Sequence, residues 1–278
     1  MTRYEVAPGY SINVEVAGDG PPIVLLHGFT GSAKSWGAFG QLLAERFTTV
    51  AMDIAGHGET DSPDELDHYR MDQVAHDLIS AARLAGFERA IWLGYSMGGR
   101  TALHVADAHP EAVERLVVIG GSPGLATETE RASRIAADEE LADRIERDGV
   151  PAFVDYWENL AMFATQRRLP ASIQAEVRRG RLACNAKGLA NSLRGMGTGA
   201  QAPLFDRLAD FEFPVLLMSG AEDVKFKAIA KEMDAAMPDA DLEIVPRSGH
   251  AAQLEQPEHC ARLVRAFVEH HSPQGVAR

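Results

Sequence analysis

Cysteine is scarce. Cys184 and Cys260 are the two thiols in 278 residues, too few for a disulfide framework and not at metal-ligand spacing. Both read as small packed residues. No apolar run approaches the length of a membrane span, and the opening Met1-Thr2-Arg3-Tyr4-Glu5-Val6 has no apolar stretch of the secretory kind. The expected compartment is therefore the cytoplasm, with no membrane partner. Internal repeats, heptads and low-complexity tracts are missing. So are a dinucleotide fingerprint, a phosphate-binding P-loop and a metal cluster, and no cofactor or metal is expected. Positive charge is in deficit: 27 Lys+Arg stand against 40 Asp+Glu, a net charge of -13. That argues against binding nucleic acid through the whole surface. Oligomeric state is not legible.

The deficit is uneven. Residues 125–205 hold 11 basic and 11 acidic side chains, so the whole excess lies outside them. A small anionic partner would be met more readily by arginines of this middle segment. Hydrophobic content of 46% and 24% charged residues are ordinary for a globular chain able to bury a sizeable core.

The strands come in a rhythm. Tyr4–Ala7 and Ser11–Ala17 suit an antiparallel hairpin about Pro8-Gly9. Ile23-Val24-Leu25-Leu26, Thr48–Met52, the run ending at Tyr95 and Val113–Ile119 are short apolar strands of the kind buried in a parallel sheet. Helices are expected over Trp36–Glu45, Tyr69–Leu84 and from Thr101 onward. From Leu125 to Phe205 the rhythm stops, leaving helix-like stretches at Ala132–Glu146, Pro151–Leu160, Ala171–Cys184 and Gly188–Gly195. Strands resume at Val215–Ser219 and Leu242–Val245, with helices at Phe226–Met237 and Pro257–His270, and 272–278 is expected to fray. Alternating strands and helices predict a mainly parallel sheet covered on both faces, residues 1–124 and 206–278 forming the core and 125–205 an inserted helical cap.

The organising stretch is Gly94-Tyr95-Ser96-Met97-Gly98-Gly99-Arg100. A strand turns into a helix within about one residue, which demands glycines and leaves Ser96 strained and projecting. The Met97 amide falls at a helix N-terminus, free to hold an oxyanion. His27-Gly28-Phe29-Thr30-Gly31-Ser32 follows another strand, and the Phe29 amide is the candidate second donor. His27 reads less readily as a base than as a residue ordering its own loop. Asp223 and His250 each follow a strand, so a parallel sheet brings both to the edge where Ser96 stands. Imidazole takes the serine proton, and the carboxylate fixes its tautomer. Asp223 suits equally the N-cap of the helix after it. Arg100, four residues beyond Ser96, shares its helix face and offers a bidentate partner to a carboxylate, or alternatively forms a buried ion pair.

With these motifs the chain resembles the α/β-hydrolase superfamily over nearly its full length. The His27–Ser32 loop, Gly94–Arg100, Glu222-Asp223-Val224-Lys225-Phe226, Asp155-Tyr156-Trp157-Glu158 and Pro246-Arg247-Ser248-Gly249-His250 are similar to the 2-succinyl-6-hydroxy-2,4-cyclohexadiene-1-carboxylate synthases of menaquinone biosynthesis. The resemblance implies an eight-stranded sheet and a lyase that eliminates pyruvate from a polycarboxylate. It implies Ser96, Asp223 and His250 as catalytic residues, with Tyr95, Arg100, Arg131, Trp157 and Arg181 binding substrate. Arg131 and Arg181 suit exposed helix charges as well, and Trp157 a packing anchor. An ester or carbon–carbon-bond hydrolase with the same triad, and a non-catalytic binding protein, stay open.

Overall fold

A computed structural model describes residues 2–271; the expected fraying of 272–278 lies outside the described residues. Its centre is an eight-stranded sheet. In chain order the strands are β1 (Thr2–Ala7), β2 (Tyr10–Ala17), β3 (Pro22–Leu26), β4 (Thr48–Met52), β5 (Ala90–Tyr95), β6 (Val113–Ile119), β7 (Val215–Gly220) and β8 (Ala240–Val245). Across the sheet they lie in the order β1-β2-β4-β3-β5-β6-β7-β8. The first two pairings are antiparallel, and every pairing from β4 to β8 is parallel.

Period-two alternation divides the core. Val24, Leu26 and Trp92 enter one apolar cluster, while Ile23, Leu25, Ile91 and Leu93 enter the other. Helices α1 (Gly37–Ala44) and, at the chain's end, Pro257–His270 cover the second cluster; α2 (Met71–Leu84), α3 (Met97–Ala108) and the later helix Val224–Ala236 cover the first. Both faces of β3 to β7 are thus dry, which is why they read as continuous apolar runs.

Between β6 and β7 no strand occurs among the described residues. The chain forms α4 (Glu128–Trp157), a 3-10 segment at Ala161–Arg168, α5 (Ala171–Leu182) and α6 (Ala186–Met196). The two helical stretches expected at Ala132–Glu146 and Pro151–Leu160 are both present, as the two halves of α4. It is interrupted at Gly149, whose φ of 80° and ψ of 167° break the helix two residues before Pro151. Thr127 starts it with a capping box closed by Glu130. This segment has its own apolar cluster, with Ala142, Ile145, Phe153 and Val154 of α4 packed on Leu189, Ala190 and Leu193 of α6. Arg194 of α6 adds ion pairs to Glu139, Asp143 and Glu146. The chain then returns through β7, α7 (Val224–Ala236), β8, α8 (Ala252–Glu255) and α9 (Pro257–His270).

The β5–α3 turn is held by close backbone contact. A Cβ on Gly94 would stand 2.0 Å from the Gly98 carbonyl oxygen, and one on Gly98 would stand 1.9 Å from that of Leu26. Neither neighbour is a flexible side chain. Gly98→Ala is therefore expected to cost about 3 kcal/mol of stability or more. Urea unfolding at neutral pH measures it, and a loss under about 1 kcal/mol would show that the turn tolerates a methyl group.

Candidate active site

The turn places Ser96 between β5 and α3 at φ 53° and ψ -109°, a conformation rare for a residue with a side chain. Its amide donates to the Ile119 carbonyl of β6 at 2.8 Å, which anchors the strained residue to the sheet. Asp223 follows β7, and His250 follows β8. The backbone joins their loops, Glu222 N donating to Ser248 O at 3.0 Å. His250 Nε2 lies 2.8 Å from Ser96 Oγ, and His250 Nδ1 lies 2.7 Å from Asp223 Oδ2. The other carboxylate oxygen, Oδ1, accepts from Phe226 N at 3.2 Å and caps α7. Asp223 is thus helix cap and histidine partner at once. The imidazole is 2% exposed and packed by the rings of Phe226, Tyr95 and Phe163.

The cap also holds this histidine. Glu255 accepts from Gly249 N at 3.0 Å through one oxygen and from Thr165 Oγ1 of the 3-10 segment at 2.9 Å through the other. Arg168 of the same segment pairs bidentately with Glu222, beside Asp223. One turn of the cap is therefore fastened to both the acid loop and the base loop.

Ser96 opens onto a cavity of about 920 Å³, between sheet edge and cap, in the size range of small-molecule sites. Phe29 and Met97 line it. As the first residue of α3, Met97 has an amide with no intrahelical acceptor. The loop carrying Phe29 is ordered from beneath by His27, which sits 2.8 Å from Gly28 O through Nδ1 and accepts from Ile54 N at 3.0 Å through Nε2. Since Nε2 accepts, Nδ1 carries the proton, and neither nitrogen remains for catalysis.

The cavity is lined by charges of both signs, Lys34, Arg100, Arg134, Arg179, Arg181 and Lys225 with Asp53, Glu59, Glu176, Asp223 and Glu255. Arg100 and Arg181 both line it, and no carboxylate lies within 4 Å of either among the described residues. Arg181 is 7% exposed, stacks over the Phe163 ring at 4.9 Å and donates to Gln166 at 3.2 Å. Burial lowers the pKa of both guanidinium groups, Arg100 to about 10, which leaves them charged at neutral pH. Tyr95 lines the wall beside them. Trp157 lines it too, its ring packed on Phe29, Phe153 and Phe163, so it joins cap to oxyanion loop.

Arg131 is a correction. It is not part of the lining: its Nη1 donates to the Leu125 and Ala126 carbonyls at 3.1 and 2.9 Å, where the chain enters α4. One turn later Arg134 reaches the cavity wall instead, paired through Nε with Asp138. The buried ion pair considered for Arg100 is also not formed. Lys225, over the Phe226 ring at 5.5 Å, is a further lining cation. Its position within the Glu222–Phe226 motif was the available signal.

A model of the α/β hydrolase fold matches residues 21–257. A Bacillus subtilis (strain 168) protein assigned as a 2-succinyl-6-hydroxy-2,4-cyclohexadiene-1-carboxylate synthase is 42% identical over 272 residues, covering 96% of this chain and 99% of that protein. The chain is an α/β-hydrolase of the synthase family. The synthase of Pectobacterium atrosepticum is 32% identical over 252 residues, covering 90% of this chain and 94% of its own. Among solved structures, MenH from S. aureus superposes with a TM-score of 0.88 at 28% identity, covering 93% of this chain and 98% of that one. An esterase from Thermogutta terrifontis reaches 0.86 at 22% identity over 97% and 99%, a likeness of fold.

The oxyanion loop of this α/β-hydrolase rests on a second buried histidine. His57 contacts the Ala55 carbonyl at 3.0 Å through Nδ1 and packs on Phe29 and His27, with Nε2 unpartnered. Burial, and then the neighbouring His27, lower its pKa to about 3. Below pH 6.5 the unfolded chain takes up this proton and the folded chain does not, so the contribution present above pH 6.5 is lost as pH falls toward 3. Relative to His57→Gln, the parent should lose about 1.4 kcal/mol of stability per pH unit across that window. Urea unfolding of both proteins at pH 7, 6 and 5 measures the difference. A gap that does not change with pH would mean that His57 takes up its proton as readily in the fold as in the unfolded chain.

Proposed function

We propose that this protein is a lyase of menaquinone biosynthesis that eliminates pyruvate from 2-succinyl-5-enolpyruvyl-6-hydroxy-3-cyclohexene-1-carboxylate. The observation that carries the reading is a serine–histidine–aspartate relay facing a cavity where the buried guanidinium of Arg181 and the half-buried one of Arg100 have no carboxylate partner, in a chain 42% identical to a protein bearing the synthase assignment. The acyl pocket of an ester hydrolase has no use for such cations, whereas a substrate with several carboxylates does.

His250, oriented by Asp223, takes the Ser96 proton, and the Ser96 oxygen removes the ring proton next to the succinyl carbonyl. The amides of Phe29 and Met97 stabilise the enolate oxygen. As the enolate collapses, the ring double bond shifts along the ring and the carbon–oxygen bond to the enolpyruvyl group breaks. The electron pair leaves with that oxygen, and protonation of the departing enolate gives pyruvate. His250 holds a proton for this step. No acyl-enzyme and no attacking water are needed. Arg100 and Arg181 bind substrate carboxylates, with Lys225 and Arg134 adding positive charge, while Tyr95 and Trp157 shape the wall. A polycarboxylate travels in water, and the proposal places the reaction in the cytoplasm.

Incubating purified protein with this substrate should release pyruvate, followed through lactate dehydrogenase, and Ser96→Ala should lower kcat by roughly 10²- to 10⁴-fold. Rapid hydrolysis of nitrophenyl esters with an acyl burst, and no pyruvate, would instead make the protein a serine hydrolase. Binding without turnover of either would leave a ligand-binding role.

A further inference from the structure

Arg100 leaves the first turn of α3 and crosses to the end of the cap, where its Nη1 donates to the Met196 carbonyl at 2.8 Å and to the side chain of Gln201. A guanidinium has donors only, so the atom facing it is Gln201 Oε1, and this fixes the orientation of the amide. Gln201 is 2% exposed. Its Nε2 has no partner and stands close over Gly124, where an added Cβ would come within 3.3 Å of it.

Met196 ends α6, so its carbonyl is one of the orphan acceptors at a helix C-terminus. Both anchors of Arg100 are therefore neutral. The acid whose charge it feels is Asp138, which is engaged by Arg134 at 2.8 Å and lies beyond 4 Å from Arg100. Nε and Nη2 of Arg100 have no protein acceptor among the described residues, and the side chain lines the cavity. A glutamate in place of Gln201 would have nearly the same shape, yet it would pair with the guanidinium and cancel its field in a poorly screened site.

We propose that Gln201 is a positioning residue, which aims Arg100 and keeps it an uncompensated cation, and so sets the affinity of the site for its anionic substrate. The inference rests on the polycarboxylate lyase reading. Its mark is a change in KM with little change in kcat, because Gln201 touches neither the triad nor the oxyanion donors.

The test is steady-state pyruvate release by full-length Gln201→Glu, Gln201→Met and parent. Gln201→Glu is expected to raise KM roughly tenfold or more with kcat within about threefold, the loss expected when a charged hydrogen-bond donor is withdrawn from substrate. Gln201→Met removes one anchor and leaves the charge, so its KM should rise only about two- to fivefold. Methionine places no charge in the core, so this arm stands even where the glutamate variant folds poorly. An unchanged KM in either folded variant overturns the inference, as do equal losses of kcat in both. A parent that releases no pyruvate overturns the lyase reading itself, a separate outcome read before either variant is compared.

Discussion

The structure depends on one contact of backbone against backbone, Gly98 seated on the Leu26 carbonyl. It draws the start of α3 against the end of β3 with no side chain between. Ser96 consequently sits at positive φ, and the Met97 amide, at the head of α3, lies in the same cavity wall as Phe29. Ser96 and the Met97 amide are both placed by this single approach. Backbone strain at Ser96 is held by its bond to Ile119 and by the two glycines, not by any substrate contact. The geometry about Ser96 is thus built into the backbone itself, as an electrostatically organised site requires.

Against that fixed edge the cap supplies charge. Taking a guanidinium out of water is costly, and other arginines of the cap are compensated: Arg178 is exposed beside Asp155 and Glu158, and the largely covered Arg194 pairs with Glu139, Asp143 and Glu146. Arg181 and Arg100 are treated differently. Their partners are a ring, a carboxamide and a helix-end carbonyl, which ease desolvation without cancelling charge. Such an arrangement stores unfavourable free energy that a carboxylate can relieve on binding.

What could be read from sequence was the chemistry that is local. The elbow announces itself in seven residues, and Asp223 and His250 follow short buried strands that a parallel sheet aligns at one edge. The two readings of Asp223 proved compatible because a carboxylate has two oxygens, one for Phe226 N and one for His250. The cap was harder. Arg131 and Arg134 are separated by one helical turn, and which of them reaches the cavity depends on where α4 enters, set by the Thr127 cap and the carbonyls that Arg131 itself satisfies. Gln201 carries no motif; its partner lies 101 residues away, and only the fold brings them together.

The same triad serves hydrolases and lyases of this fold, so the difference must lie in what surrounds it. A hydrolase must admit water to an acyl-enzyme and hold its histidine ready to activate that water. Here the histidine is walled by three rings and its loop is fastened by Glu255 and Thr165 to the cap. Cations held without counter-ions suit a substrate whose leaving group carries its own carboxylate. Proton abstraction needs no second nucleophile, so the lyase has no use for a water activated at the triad. The cap therefore bears on the reaction through the guanidinium groups that it holds without carboxylate partners.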